Sequence, residues 1–231
     1  MTVPCERRGM PMKGSGPADA YDVVREDDDG FGWIAYPDER MQRASHAFRT
    51  DDGVYVVDPV DVDDLDEHLA ALGDVAGVVL TLDRHERDSA AVARRHDVPV
   101  YVPEFFGRTD LDADTEPLRG VLDRFDVIPV VNNAFWSEVA LWDDDSGELW
   151  VSEAVGTVDY YTTSDETLGV HPMLRALPPR KKLGELSPGE LYCGHGAGVT
   201  TGATQALQDA LAGSRKRMLG LYAKTLKNSL T

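Results

Sequence analysis

The sequence predicts one α/β domain, and three features carry that expectation. Apolar strand-like runs alternate with amphipathic helical stretches between Val54 and Val102. Strand-like runs then follow one another through short turns between Phe125 and Val151. A chain of 231 residues that is 42% hydrophobic is long and apolar enough to bury a substantial core. Alternation of strand and helix points to an α/β arrangement, and the later run of strands points to a meander.

Residues 1–30 mix Pro, Gly and Lys with the acidic run Glu26-Asp27-Asp28-Asp29-Gly30, and are expected to form a flexible N-terminal arm. The domain is expected over 31–231. Phe31 to Tyr36 reads as a first strand and Ala44 to Phe48 as a second. Asp51-Asp52-Gly53 signals a turn into Val54-Tyr55-Val56-Val57, a buried strand ending at Asp58-Pro59. Val62 to Leu72 places Leu65, Leu69 and Leu72 at helical spacing with acids in the first turn. Val75 to Thr81 is an apolar strand, Asp88 to His96 a second helix, and Val100 to Val102 another strand. In the meander, Phe125–Val131, Glu138–Trp142 and Glu148–Val151 are strands, the last two joined by the turn Asp143 to Gly147. Pro172 to Ala176 is expected to be a short helix and Leu191 to Cys193 a short strand. Thr201 to Ala212 and Met218 to Leu226 read as two closing helices, the latter with a basic polar face.

The charge is strongly acidic. The 41 carboxylates, 28 Asp and 13 Glu, face 23 bases, 17 Arg and 6 Lys, for a net charge of -18. Many carboxylates and few lysines make a hydrated surface whose self-repulsion is relieved by salt, the balance expected of a halophilic protein. It disfavours nucleic acid as a partner, since phosphate binding requires a basic surface. Two cysteines, Cys5 and Cys193, cannot build a disulfide framework; Cys193 reads as a small buried hydrophobe, and a reducing, cytoplasmic setting is expected. Apolar runs such as Gly77-Val78-Val79-Leu80 fall far short of the roughly 20 residues a membrane span needs, so no membrane partner is expected. The N-terminus has no apolar stretch after its charges and does not read as a secretory signal.

Polar residues gather just after strands: Asp58, Thr81 with the cluster Asp83-Arg84-His85-Glu86-Arg87-Asp88, Asn132-Asn133, Glu153 and His195. Sites in α/β sheets form beyond strand ends, so these distant residues are expected to share a rim. His85 and Asp88 also suit a solvated helix N-terminus, where Asp caps and favours the dipole. His195 lies between glycines that permit a tight loop. His171, before Pro172, reads as structural, and His46, His68 and His96 read as surface positions. Arg180-Lys181-Lys182 and Arg215-Lys216-Arg217 are basic spots suited to a phosphate, a partner or plain solvation.

From about Ala44 to about Leu211 the chain resembles the metallo-β-lactamase superfamily. Gly53 to Pro59 resembles its strand ending in Asp; Val78-Val79-Leu80-Thr81 resembles the strand entering its His-x-His-x-Asp-His loop; Leu191-Tyr192-Cys193-Gly194-His195-Gly196 resembles its closing Gly-His-Gly loop. The resemblance implies a four-layer αββα sandwich of two mixed β-sheets and a metal centre between strand ends. The signature loop departs from the family. Anchored on Thr81, its ligand positions fall on Leu82, Arg84, Glu86 and Arg87; anchored on His85, they fall on Asp83, His85, Arg87 and Asp88. Ala134 stands where a mid-chain ligand His is expected, Ser152-Glu153 where a bridging carboxylate is expected, and His195 alone is unchanged.

Zinc wants about four N, O or S ligands, two metals need more, and an arginine at a ligand position is a permanent cation. The resemblance therefore implies a degenerate centre. No cofactor is expected, the alternative being one zinc or other divalent metal held by His85, Asp88, Glu153 and His195. Asp58, Asp83, Arg84, Arg87, Asn132 and Asn133 would form the rim. Glu153 is expected to pair with Arg84 or Arg87 in place of a metal. The functional expectation is a non-hydrolytic protein that binds a small molecule or another protein; the alternative is a hydrolase with an altered single-metal site.

Overall fold

Strand residues of this chain divide their side chains between different cores, and that division defines the layers. In the computed structural model, which describes residues 12, 18, 20–107 and 110–229, Val54 and Val56 face one core while Tyr55 and Val57 face another. Leu149 and Val151 likewise face a third core while Trp150 joins Tyr55 and Val57 in the middle one. A period of two with both faces apolar means a sheet covered on both sides. Each fully buried Val or Leu contributes roughly 1.5–3 kcal/mol.

The first sheet runs in chain order: β1 (Asp22–Asp27), β2 (Gly30–Ile34), β3 (Ala44–Thr50), β4 (Gly53–Val57), β5 (Val75–Val79), β6 (Val100–Val102) and β7 (Thr115–Pro117). β1 to β4 are antiparallel neighbours; β4 to β7 are parallel. The first two parallel steps are made by α1 (Leu65–Leu72) and α2 (Ser89–His96), whose Leu65, Leu69, Val92 and Ala93 pack on the outer face of this sheet. The second sheet joins β8 (Asp126–Asn133), β9 (Trp136–Asp143), β10 (Glu148–Val151) and β13 (Glu190–Cys193) in the order β13-β10-β9-β8, with β10 and β13 parallel. Its outer face carries α4 (Ala203–Ser229) through Ala203, Leu207, Ala210 and Leu211. The middle core, including Phe48, Val79, Leu141, Trp150 and Tyr192, lies between the sheets. Two mixed sheets face to face with helices outside form the expected αββα sandwich. A two-stranded ribbon, β11 (Val155–Gly156) with β12 (Gly169–Val170), and the short α3 (Arg180–Leu183) complete it.

Several expectations need correction. The arm foreseen over 1–30 stops short of Asp22, because Asp22–Asp27 is strand β1. The acidic run is its hairpin turn, where Asp27 Oδ1 accepts from the Asp29 N–H at 2.9 Å. Arg25 anchors β1 through an ion pair with buried Glu148 at 2.6 Å. Most of the remaining arm, with Cys5, lies outside the described residues. α1 starts at Leu65 rather than Val62, since Asp64 has φ +62 and cannot extend the helix upstream. The short helix foreseen at Pro172 is a 3-10 turn, Pro172–Leu174. The two closing helices are one, α4. Gly213-Ser214 does not break it: a mid-helix Gly costs only about 1 kcal/mol, and the Ser214 hydroxyl donates to the Arg175 carbonyl at 3.0 Å. His46, expected at the surface, is fully buried between the sheets against Phe48, Trp150 and Tyr192. Cys193 is buried, as its apolar neighbours suggested.

Candidate functional site

The site forms where β4, β5, β10 and β13 end. Asp58, one residue past β4, is completely buried. Its Oδ1 accepts from the Thr81 N–H at 2.8 Å, and its Oδ2 accepts from the Thr81 hydroxyl at 2.6 Å and from His85 Nδ1 at 3.2 Å. Thr81 Oγ1 in turn receives Trp150 Nε1 at 3.1 Å and contacts Ser152 Oγ. One buried carboxylate thus fixes the loop after β5 and ties it to the second sheet. Burial pushes the Asp58 carboxyl up, while Arg87 and the Thr81 hydrogen bonds oppose this.

Three buried imidazoles surround Glu153, and their partners set their tautomers. His85 Nδ1 donates to Asp58, so Nε2 turns its lone pair toward Arg87 Nη2 at 3.5 Å. His195 Nδ1 donates to the Met41 carbonyl at 2.9 Å, leaving Nε2 as a lone pair that is buried without a hydrogen-bond partner. His171 Nδ1 accepts from the Met173 N–H at 3.2 Å, so its Nε2 carries the proton, 3.7 Å from Glu153 Oε1. Burial, then Arg84, depresses His171 to about 3. Burial, then His85 and Arg87, holds His195 well below the usual imidazole range. One ligand-type atom from each of His85, Glu153 and His195 lies within 4.8 Å of the others.

Two arginines share this ground. Arg84 Nε donates to Glu153 Oε2 at 2.8 Å and Nη1 to the Phe135 carbonyl at 3.1 Å, with the guanidinium 4.4 Å over the Trp136 ring. Arg87 Nη1 donates to the carbonyls of Ala44 at 2.5 Å and Asp58 at 2.9 Å; Nη2 donates to Gly194 at 3.1 Å. Burial lowers the Arg87 guanidinium to about 10, which leaves it charged at neutral pH. Beneath Glu153, fully buried Glu138 accepts from the backbone N–H groups of Glu153 and Ala154 and from Trp136 Nε1, each at 2.8–2.9 Å. Burial pushes Glu138 up to about 7.

Of the residues singled out from sequence, His85, Glu153 and His195 converge, with Asp58, Arg84 and Arg87 around them. Asp88 does not join them. It stands at the N-cap position of α2, where its side chain makes no cap hydrogen bond; its Oδ2 accepts instead from the Asp61 N–H at 2.9 Å. Asp83 braces the neighbouring hairpin through the Ser137 N–H at 2.8 Å. Asn132 and Asn133 line a groove of about 510 Å³ beside Arg84, with Asp83, Phe105, Ala134 and Phe135. Phe135, at the hairpin tip, is 86% exposed. Sequence reasoning missed Glu138, Tyr161 and the inward placement of His171. Their signal is three-dimensional: Tyr161 buries a partnerless hydroxyl beside the His171 and His195 rings. A second hollow of about 800 Å³, lined by Asp29, Asp51, Asp52, Asp123 and Arg124, includes none of these site residues.

Solved structures similar to this chain include metallo-β-lactamases. A metallo-β-lactamase from Erythrobacter litoralis superposes with a TM-score of 0.56 at 9% identity, over 85% of this chain and 92% of its own. FIM-1 from Pseudomonas aeruginosa, solved in a mono-zinc form, gives 0.54 at 10% identity over 86% and 98%. DIM-1 gives 0.52 at 11% identity over 86% and 100%. The chain therefore has the metallo-β-lactamase fold. No known sequence family matches it, and no curated protein resembles it in sequence.

The fold implies a metal centre, and the donor set tests it. A pair of ions does not fit: Ala134 offers no ligand atom, and Arg84 and Arg87 bring two fixed cations to the same few ångströms. For a single ion, His85, Glu153 and His195 are the residues that would hold it.

Proposed function

We propose that this protein works by binding rather than by metal-dependent hydrolysis, with arginines supplying the positive charge at the rim. The observation that carries this reading is the Arg84–Glu153 ion pair at 2.8 Å beside an Arg87 guanidinium fixed on three carbonyls. The carboxylate that the resemblance assigns to a metal is neutralised by a side chain, and charge-assisted pairing of this kind is among the stronger polar contacts. The groove beside Arg84 offers a small molecule or a peptide side chain one cation, two amides and the exposed Phe135 ring. The acid-rich composition supports a soluble role in high salt, and among the described residues no helix is long and apolar enough to cross a membrane.

A second reading, a hydrolase with one divalent ion, draws on the clustered donors of His85, Glu153 and His195 and on the partnerless Nε2 of His195. A bound ion would supply Lewis acidity and a water of lowered pKa. His85 would orient through Asp58, and His171 would hold its proton toward Glu153.

Elemental analysis of protein purified without chelator separates the two, together with β-lactam, ester and phosphodiester assays on the wild type and Glu153→Gln. Less than one-tenth of an equivalent of metal (about a tenfold deficit) and no turnover are expected. Stoichiometric metal with turnover that Glu153→Gln abolishes would overturn the binding reading.

A further inference from the structure

Acids and bases separate along this chain. Residues 172–231 hold nine bases and three acids, whereas residues 1–171 hold fourteen bases and thirty-eight acids. The fold gathers the basic part onto one surface. Arg180 Nε donates to the Leu211 carbonyl at 3.0 Å, and Arg215 Nε to the Ala176 carbonyl at 2.7 Å, so α3 and the turn before it lie along α4. Lys181, Lys182 and Lys216 are exposed there, without an ion pair among the described residues. Two carboxylates farther along α4 are neutralised within the chain, Asp165 by Arg217 at 2.9 Å and Asp159 by Lys224 at 2.5 Å. The surface therefore has one sign of net charge, opposite to that of the rest of the molecule.

The same surface carries apolar side chains that protrude. Leu219 is 75% exposed, Leu226 64%, Met173 73% and Leu177 76%. Leu219 and Leu226 stand two helical turns apart on one side of α4. The Tyr222 hydroxyl between them donates to the Pro172 carbonyl at 3.0 Å, which brings the turn bearing Met173 and Leu177 alongside. Apolar ends bordered by lysines are what an interfacial helix presents to lipid. The leucines reach the acyl boundary, and the long lysine stems keep their ammonium groups at the level of the phosphates. Nucleic acid takes its contacts from polar donors and gains little from protruding leucines.

We propose that this face docks on an anionic lipid bilayer, with α4 lying in the plane of the headgroups. Charge complementarity selects the occupant. An anionic surface attracts the basic face and repels the acidic remainder, so the field of the whole chain turns α4 toward the lipid. A second copy of the chain would instead set lysines against lysines. No spanning segment is needed, since such a helix lies on the membrane rather than across it. At molar salt the Debye length falls to about 3 Å, so only lysines touching lipid phosphates still act, while the apolar contact persists. The proposal is independent of the Arg84 rim and of what that rim binds.

Flotation of the full chain with phosphatidylglycerol vesicles, in low and in molar potassium chloride, tests this, with phosphatidylcholine vesicles as the control. The wild type is expected to float with phosphatidylglycerol in both salts and to bind phosphatidylcholine at least about tenfold more weakly. Leu219→Asp with Leu226→Asp is expected to stay in the soluble fraction with unchanged circular dichroism. Lys181→Glu, Lys182→Glu and Lys216→Glu together are expected to weaken binding to phosphatidylglycerol by at least about tenfold and to leave binding to phosphatidylcholine unchanged. A wild type that does not float, or flotation untouched by the leucine changes, overturns the proposal. So does a dimer in sedimentation velocity that the leucine changes abolish, which would make a second copy the occupant. Lysine-dependent binding to polyglutamate or duplex DNA as tight as that to the vesicles would overturn it in favour of a soluble polyanion.

Discussion

Arg84 Nε sits 2.8 Å from Glu153 Oε2, joining the loop after β5 to the end of β10 across the rim of the sandwich. The contact is unequal in exposure: the Arg84 side chain is 40% exposed and that of Glu153 12%. Solvent therefore screens the guanidinium side, and the pair contributes less than its geometry suggests, about 1 kcal/mol. A double-mutant cycle with Arg84→Ala and Glu153→Gln, read by urea unfolding, should give a coupling energy of that size. A coupling indistinguishable from zero would mean that the rim does not need the pair.

That pair could be anticipated from sequence because it follows from charge arithmetic at strand ends, whereas much of the rest of the site could not. Val54–Val57 and Glu148–Val151 read correctly as strands because their apolar runs are short and bounded by turn residues. β11 and β12 have two residues each and leave no periodicity to read. Glu138 looked like an ordinary strand carboxylate; its role depends on three donors from Trp136, Glu153 and Ala154, which only the fold brings around it. His46 sits in a strand whose neighbours on both sides are small or polar, so its burial is set by Phe48, Trp150 and Tyr192 from two different sheets. Asp88 carried the opposite hazard: its spacing from His85 suggested a ligand, but its carboxylate is taken by the Asp61 N–H, a contact 27 residues away in sequence that spacing does not reveal.

His46 sets a pH dependence. Burial, then Arg25, depresses it from 6.5 to about 3, and both ring nitrogens lack partners. Between those values the unfolded chain binds a proton that the folded chain refuses. Stability from this group is therefore full above pH 6.5 and lost as pH falls toward 3, on the order of a few kcal/mol. His171, depressed to about 3, acts in the same direction over the same window. Glu138, raised from 4.5 to about 7, acts oppositely: its contribution is lost as pH rises through 7. The depressed imidazoles His46, His171 and His195 raise stability with pH across this window, against the raised carboxyls of Glu138, Asp58 and Glu148. His46→Leu should flatten part of that rise in denaturant midpoints measured at each pH. Superimposable slopes for the two proteins would remove His46 from the account.

Net charge governs a separate response. With 41 acids against 23 bases, the folded state holds its carboxylates closer together than the unfolded chain does. The Debye length falls from about 10 Å at 0.1 M salt to about 3 Å at 1 M. Screening should therefore favour the compact state, and the melting temperature should climb by several degrees from low to molar potassium chloride. Buried pairs such as Arg175–Glu166, at 2.7 Å and 0%/1% exposed, are shielded from the same ions and should not offset the gain. A flat melting temperature across that range would contradict the halophilic reading.

Arg87 offers the sharpest test of how the rim is charged. Its Nη2 lies 3.5 Å from His85 Nε2, so a divalent ion on that nitrogen at about 2 Å would sit within about 6 Å of a buried guanidinium. Unit charges at that range repel by about 3 kcal/mol at an effective dielectric of 20, and a divalent ion feels roughly twice that. Replacing Arg87 by His removes the repulsion and adds a donor close to His85, Glu153 and His195. It also takes the guanidinium donors from the carbonyls of Ala44, Asp58 and Gly194, of which Asp58 keeps the Ser45 hydroxyl and Gly194 the Ala44 N–H, so the metal-free variant should be less stable than the wild type by about 1–3 kcal/mol. Zinc should bind Arg87→His at one equivalent and recover stability by mass action, raising its melting temperature while leaving that of the wild type unchanged. Adding His195→Ala should abolish the zinc response. If the wild type takes up zinc as tightly as the variant, the guanidinium does not exclude the ion. If the variant takes up none, the geometry rather than the charge has closed the site.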